Sequence, residues 1–268
     1  MKVALTIAGS DSGGGAGIQT DLHAFASHGL HGTTAITAIT AQNSTGVSAW
    51  TVVDPALVEA QIDAVASDMP VAAAKTGMLG TAAVIEAVVR SLRRHGVRPL
   101  VVDPVMVARS GDRLVDASAQ EAYVALLLPM ATVLTPNLLE AEALLGRPVR
   151  DLEAMRRAAR DLHALGPAAV LVKGGALEAA RDAVDVLFDG TVLHDLPEPR
   201  IDTPNTHGTG CTLSAAIAAR LATGDPIAEA VRGAKAYLTA GLRASYAVGK
   251  GRGCVRHHRV VATGPANG

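Results

Sequence analysis

Asn205-Thr206-His207-Gly208-Thr209-Gly210-Cys211-Thr212 carries the strongest chemical signal in the chain. Its two glycines interrupt a polar run that leads into the Ala-rich residues 213–222, so the N–H groups of Gly208, Thr209, Gly210 and Cys211 converge at a helix N-terminus. Unpaired N–H groups and the positive end of the helix dipole make such a turn an anion site. The same field favours a thiolate, so Cys211 is expected to be partly ionised near neutral pH. Its other reading is a buried structural cysteine at a helix start.

Other polar residues stand at the ends of apolar runs. Lys173, followed by Gly174 and Gly175, puts a cation where a phosphate chain could lie. Asp103, Asn137 and Glu140 offer oxygen ligands of the kind that hard Mg²⁺ prefers. Asn137 and Glu140 are three residues apart, hence on one helical face, although Glu140 also suits the first turn of any helix. Gln42 brings an amide, donor and acceptor together, which matches a pyrimidine edge as well as a solvated loop. Gly9-Ser10-Asp11-Ser12-Gly13-Gly14-Gly15-Ala16-Gly17 places five glycines in nine residues, either to let the backbone approach a ligand or to make a tight connection. It lacks the Gly-Lys-Ser/Thr of a phosphate-binding loop and misses the dinucleotide spacing. Asp21 falls four residues into the next helix, and Met78 reads equally as core. Cys254, His257 and His258 are too few for a zinc site and are given no role.

Short apolar runs alternate with amphipathic stretches throughout. Strands are expected at residues 3–8, 33–40, 71–75, 100–102, 132–134 and 169–172. Helices are expected at 16–28, 55–67, 81–94, 138–145, 152–165, 209–222 and 227–246. Residues 184–188 and 192–196 flank Asp189-Gly190 and read as a hairpin. Such alternation predicts an α/β fold, a mostly parallel central sheet covered on both faces, in which ligands bind beyond the carboxyl ends of the strands. No linker or repeat divides residues 1–268, so one domain is expected.

Hydrophobic residues make up 49% and charged ones 18%, with only one Trp, two Phe and three Tyr, so an aliphatic core is expected. The net charge of −1 without basic clusters argues against a nucleic-acid partner. Residues 252–259, rich in Arg and His, read as a solvated tail. No apolar run is long enough for a membrane span, and two cysteines make no disulfide framework, so a cytoplasmic protein is expected.

Taken in order, the 9–17 turn with Ile18-Gln19, Ala41-Gln42-Asn43, Lys75-Thr76-Gly77-Met78-Leu79, Val102-Asp103-Pro104-Val105-Met106, Thr135-Pro136-Asn137, Lys173-Gly174-Gly175 and the 205–212 turn resemble the hydroxymethylpyrimidine/phosphomethylpyrimidine kinases of thiamine biosynthesis, within the ribokinase-like superfamily. The resemblance spans residues 3–251. It implies a three-layer α/β/α sandwich, ATP and Mg²⁺, a homodimer, and two successive phosphorylations of 4-amino-5-hydroxymethyl-2-methylpyrimidine. By position, Gln42 reads the ring, with Gly9, Asp21, Met78 and Val105 around it. Lys173, Asn137 and Thr206 face the nucleotide, and Asp103 and Glu140 organise Mg²⁺. The 208–211 turn holds the anion, and Cys211 takes the hydroxyl proton. The chain departs from the family pattern at Ala176, where His is usual, and across residues 252–257, a divergent tail expected to leave the chemistry untouched. A pyridoxine/pyridoxal kinase is the rival reading, and a non-catalytic pyrimidine sensor is the weaker one, since Cys211, Lys173 and Glu140 are all present.

Overall fold

The computed structural model describes residues 1–106, 117–177 and 182–257. In chain order the strands are β1 Val3–Asp11, β2 His31–Asn43, β3 Gly46–Val52, β4 Val71–Thr76, β5 Leu100–Val102, β6 Val133–Leu134, β7 Val170–Val172, β8 Asp182–Phe188 and β9 Leu193–Pro199. The helices are α1 Gly17–Ser27, α2 Pro55–Asp68, α3 Ala82–Arg94, α4 Ala117–Ala122, α5 Leu138–Leu145, α6 Leu152–His163, α7 Thr209–Thr223 and α8 Ile227–Arg243. A π-helical turn, Tyr123–Leu127, and a 3₁₀ turn, Leu128–Met130, prolong α4.

Local chemistry sets several helix starts. Asp54 accepts from Ala56 N ahead of Pro55, Thr81 from Val84 N, and Asp151 from Ala154 N. Each satisfies an N–H that the helix itself leaves free. All strands join one sheet in the order β3-β2-β1-β4-β5-β6-β7-β8-β9. The six strands from β2 to β7 in that order are mutually parallel, while β3, β8 and β9 are added through antiparallel pairings. The carboxyl ends of β1, β4, β5, β6 and β7 therefore lie along one edge.

Successive strand residues serve opposite faces. Leu5, Ile7, Leu100 and Val102 pack with Val84, Ile85 and Val88 of α3 on one side. Ala4, Ala73, Val101 and Leu171 pack with Phe25 of α1 and Ala215, Ile217 and Ala219 of α7 on the other. Buried on both faces, these strands are apolar at consecutive positions, as parallel strands must be. Each fully buried Leu, Ile or Val contributes about 1.5–3 kcal/mol. The result is the expected α/β/α sandwich of the ribokinase-like kind.

Two features differ from the sequence expectations. β3 was not expected; six of its seven residues are exposed, so no buried face patterns it. The expected hairpin does form between β8 and β9, closing through four residues with Asp189 accepting from Thr191 N and Val192 N. Residues 252–257 are no solvated tail. Arg252 N donates to Ser44 O, His207 N to Gly253 O and Arg256 N to Gly241 O, and Cys254, Val255 and His257 are buried. His258, also expected in the tail, lies outside the described residues.

Candidate active site

Gly208 ends the loop before α7 with φ 78°, a left-handed conformation that glycine adopts freely. Close approach gives a second reason for glycine here, because a Cβ would lie 2.0 Å from Gly15 O. The anion turn and the glycine-rich turn after β1 are thus in backbone contact. Thr209, Gly210 and Cys211 form the first turn of α7, where N–H groups have no intrahelical partner. A Cβ on Gly210 would lie 3.5 Å from Lys173 Nζ and 3.6 Å from Asp103 Oδ2, so the turn opens directly over that ion pair.

Lys173 follows β7, and its Nζ lies 2.7 Å from Asp103 Oδ1 and 3.9 Å from Glu140 Oε2. Asp103 follows β5 and also accepts from Thr135 Oγ1 and Ser214 Oγ. Burial opposes its ionisation, but Lys173 and Lys75 hold its carboxyl below the usual range. Glu140 and Asn137 cap α5 reciprocally: Asn137 N donates to Glu140 Oε2 at 2.7 Å, and Glu140 N to Asn137 Oδ1 at 2.9 Å. The helix-start reading of Glu140 is therefore realised, and the same carboxylate also stands 3.9 Å from Lys173 Nζ. Burial, with the charge of Asp103 nearby, pushes its carboxyl up to about 7 despite Lys173.

At the opposite end, Gly9 sits beside Met78, whose Sδ would lie 3.6 Å from a Cβ at position 9. Gln42 is half-buried at the end of β2, with its amide near Thr40 and His207. Val105, half-buried, follows Asp103 by two residues, and Thr206 lies half-buried two residues before Gly208.

Two expectations need correction. Asp21, expected beside the ring, presents no surface to a ligand. It is fully buried, with Lys75 Nζ 2.9 and 3.0 Å from its two oxygens and Thr6 Oγ1 at 2.6 Å. Nor is Cys211 partly ionised. Burial pushes its thiol up to about 11, and neither the Lys75 charge nor the Gly17 N–H offsets it. The helix dipole does not offset the cost of enclosing a charge.

Three residues given no role from the sequence also belong here. Asp11 accepts from the N–H groups of Gly13, Gly15 and Ala16, and its Oδ2 lies 2.9 Å from His207 Nε2. Burial opposes it, but His207 and these backbone donors hold Asp11 below the usual carboxylate range. Lys75, on the central strand β4, stays charged because of Asp21. One signal was available for it: a lysine inside an apolar strand must have a buried carboxylate partner. Cys254, in the segment expected to leave the chemistry untouched, packs where a Cβ on Gly15 would otherwise lie, 2.7 Å from Sγ.

A parallel sheet whose strand ends bring together an N-terminal helix turn, a lysine and two carboxylates defines a ribokinase-like small-molecule kinase. A model of the phosphomethylpyrimidine kinase family matches residues 11–256, and the chain belongs to that family. It is 54% identical over 261 residues to a hydroxymethylpyrimidine/phosphomethylpyrimidine kinase of Rhizobium meliloti, covering 96% of this chain and 97% of that one. Against a thiamine biosynthesis bifunctional protein of Geobacter sulfurreducens it is 51% identical over 253 residues, 94% of this chain, and spans 51% of the relative's length. Among solved structures, Bacillus subtilis pyridoxal kinase in an ADP complex superposes with TM-score 0.89 at 39% identity, covering 96% of this chain and 97% of that one. Phosphomethylpyrimidine kinase from Clostridium difficile superposes with TM-score 0.80 at 40% identity, covering 90% and 99%.

Proposed function

We propose that the chain transfers the terminal phosphoryl group of ATP to the hydroxymethyl oxygen of 4-amino-5-hydroxymethyl-2-methylpyrimidine, and then a second to the monophosphate, in thiamine biosynthesis. The observation that carries this reading is the placement of Gly210 against Lys173 and Asp103, at the same strand edge as Gly9, Met78 and Gln42. A phosphate chain over Lys173 would point its terminal group at the 208–211 turn, and a ring beside Gln42 would bring its alcohol to the same turn. Phosphoryl transfer asks mainly for such positioning and for stabilisation of charge on the equatorial oxygens, which fixed N–H groups supply.

Cys211 is the proposed proton acceptor. Held as a thiol in the free enzyme, it acts through its minor thiolate form. Asp21 acts from below the site, keeping Lys75 charged near Cys211.

Among the described residues no cluster of three or more His, Cys, Asp or Glu could enclose a metal ion. Mg²⁺ needs no such cage when one or two carboxylates, waters and phosphates share it. Asp103 and Glu140 fit that use, being two carboxylates within reach of Lys173 at the strand ends. When bound, Mg²⁺ neutralises phosphate charge. Asn137 and Thr206 are assigned to the nucleotide side.

The reading includes a cytoplasmic homodimer. Exposed Ile39, Val47 and Trp50 along the β2–β3 edge support a partner surface, and light scattering of the pure protein tests it. The activity is tested by incubating the protein with Mg·ATP and each candidate alcohol and weighing the products. Mono- and diphosphorylated aminopyrimidine are expected. Phosphorylated pyridoxal alone would establish the second reading, which the likeness to Bacillus subtilis pyridoxal kinase favours.

A further inference from the structure

We infer that His207 is a positioning residue that fixes which way the Gln42 amide faces, and so sets the hydrogen-bond pattern offered to the ring. The inference rests on the proposed reading of Gln42 as a ring contact.

The Asp11 carboxylate takes three backbone N–H donors at 2.8–3.0 Å, and its Oδ2 lies 2.9 Å from His207 Nε2. An ionised carboxylate only accepts, so Nε2 carries a proton. The same Nε2 lies 3.4 Å from the Gln42 atom placed as Nε2. Two donors cannot bond to each other. The ends of an amide have nearly the same shape, so the network decides which is which. With its one proton directed at Asp11 Oδ2, 2.9 Å away, Nε2 has no lone pair to accept an amide N–H, so the network places the Gln42 oxygen toward His207, on the weaker branch of that shared donor.

Thr40 gives the same answer independently. Its hydroxyl has one proton, used on Ser10 O at 2.8 Å, so toward the Gln42 amide, 3.2 Å away, it accepts. Only the amide nitrogen can donate there. With oxygen toward His207 and nitrogen toward Thr40, one N–H and one carbonyl lone pair remain for a ligand. A ring nitrogen beside an exocyclic amine, the edge of a 4-aminopyrimidine, offers the matching acceptor and donor.

His207 is itself held firmly. Its backbone N–H donates to Gly253 O, and its ring fills the space at Gly15, where a Cβ would lie 2.3 Å from Cδ2.

The test measures both substrates' KM in the whole enzyme. His207→Phe keeps the ring volume and removes the donor. It should raise the KM for the aminopyrimidine alcohol roughly 5- to 50-fold while leaving that for ATP within about twofold. It should also narrow the preference for the aminopyrimidine over pyridoxal by a similar factor. In a Gln42→Ala background the same change should have little further effect, and His207→Gln, which keeps a donor, should restore part of the loss. If the phenylalanine chain does not fold, His207→Asn, too short to reach Gln42, carries the same expectation. Equal effects on both KM values, or a full additional loss on top of Gln42→Ala, would overturn the inference. If Gln42→Ala alone spares the pyrimidine KM, the ring-contact reading falls first, and this inference falls with it.

Discussion

Lys75 and Asp21 form an ion pair with neither side chain exposed, and Lys75→Met is the perturbation that measures it. Methionine has a similar length and no charge, so packing beneath Gly77 is largely kept, while a Cβ on that glycine would lie only 2.9 Å from the present Nζ. What changes is Asp21, left in a dry interior with Thr6 Oγ1 as its remaining described side-chain donor. Removing one partner of a buried pair costs about 3–5 kcal/mol. At roughly 2–4 °C per kcal/mol for a chain of this size, Tm should fall by about 6–20 °C. Asp21→Asn should then rescue it, because an amide needs no counter-charge and can still meet Thr6. Burial raises the Asp21 carboxyl in the single variant, so the neutral form relieves the damage. The deficit is smallest below about pH 4 and grows as pH rises through the raised value. Thermal unfolding of the wild type, both single variants and the double variant between pH 4 and 8 checks this. Additive losses in the double variant, or a Lys75→Met Tm within about 2 °C of wild type at neutral pH, would refute the reasoning.

Steady-state kinetics should show Gln42→Ala raising the KM for the pyrimidine roughly 5- to 150-fold and sparing ATP; equal effects would remove Gln42 from the ring pocket. Glu140→Gln should shift the Mg²⁺ titration of activity to higher concentration. Because the Glu140 carboxyl is raised to about 7, the nucleotide-free variant should also out-melt wild type at pH 8 and lose that advantage toward pH 4.5. For Cys211, raised to about 11, the thiolate fraction grows tenfold per pH unit below that value, so kcat should climb from pH 7 to 9 while chemistry limits it. Cys211→Ser should lose on the order of 100-fold in kcat, and Cys211→Asp should recover part of it with a flat profile; a flat wild-type profile would leave the work to the backbone N–H groups.

The sequence made the layered fold legible because buried parallel strands and amphipathic helices each impose a period on the residues. It also ordered the motifs along one sheet edge, which brings Lys173, Asp103 and Gly210 together. β3 escaped because an edge strand with exposed side chains has no buried pattern to read. The turns at 123–130 escaped too, since Leu and Ala suit several helical geometries. Partnerships were the least legible. Nothing in the spacing of Lys75 and Asp21, 54 residues apart, announces a bond. The electrostatic state of Cys211 likewise depends on what encloses it, so a correct reading of the helix start still led to the wrong sign of its shift.

The contact between Asp11 and His207 spans 196 residues. During synthesis, the first strand and its glycine-rich turn leave the ribosome long before the anion turn and the Gly253–Cys254 strap that hold them. Until then Asp11 has its local backbone donors and no imidazole, and Gly15 faces space that His207 and Cys254 later fill. Closing such distant contacts is slow compared with forming a local helix. The growing chain can thus build most of its sheet while its site remains open, and competence arrives as a late event of translation. Loss of the last few strap residues should therefore affect the site first, despite their distance in sequence from every residue that the chemistry uses near the start of the chain.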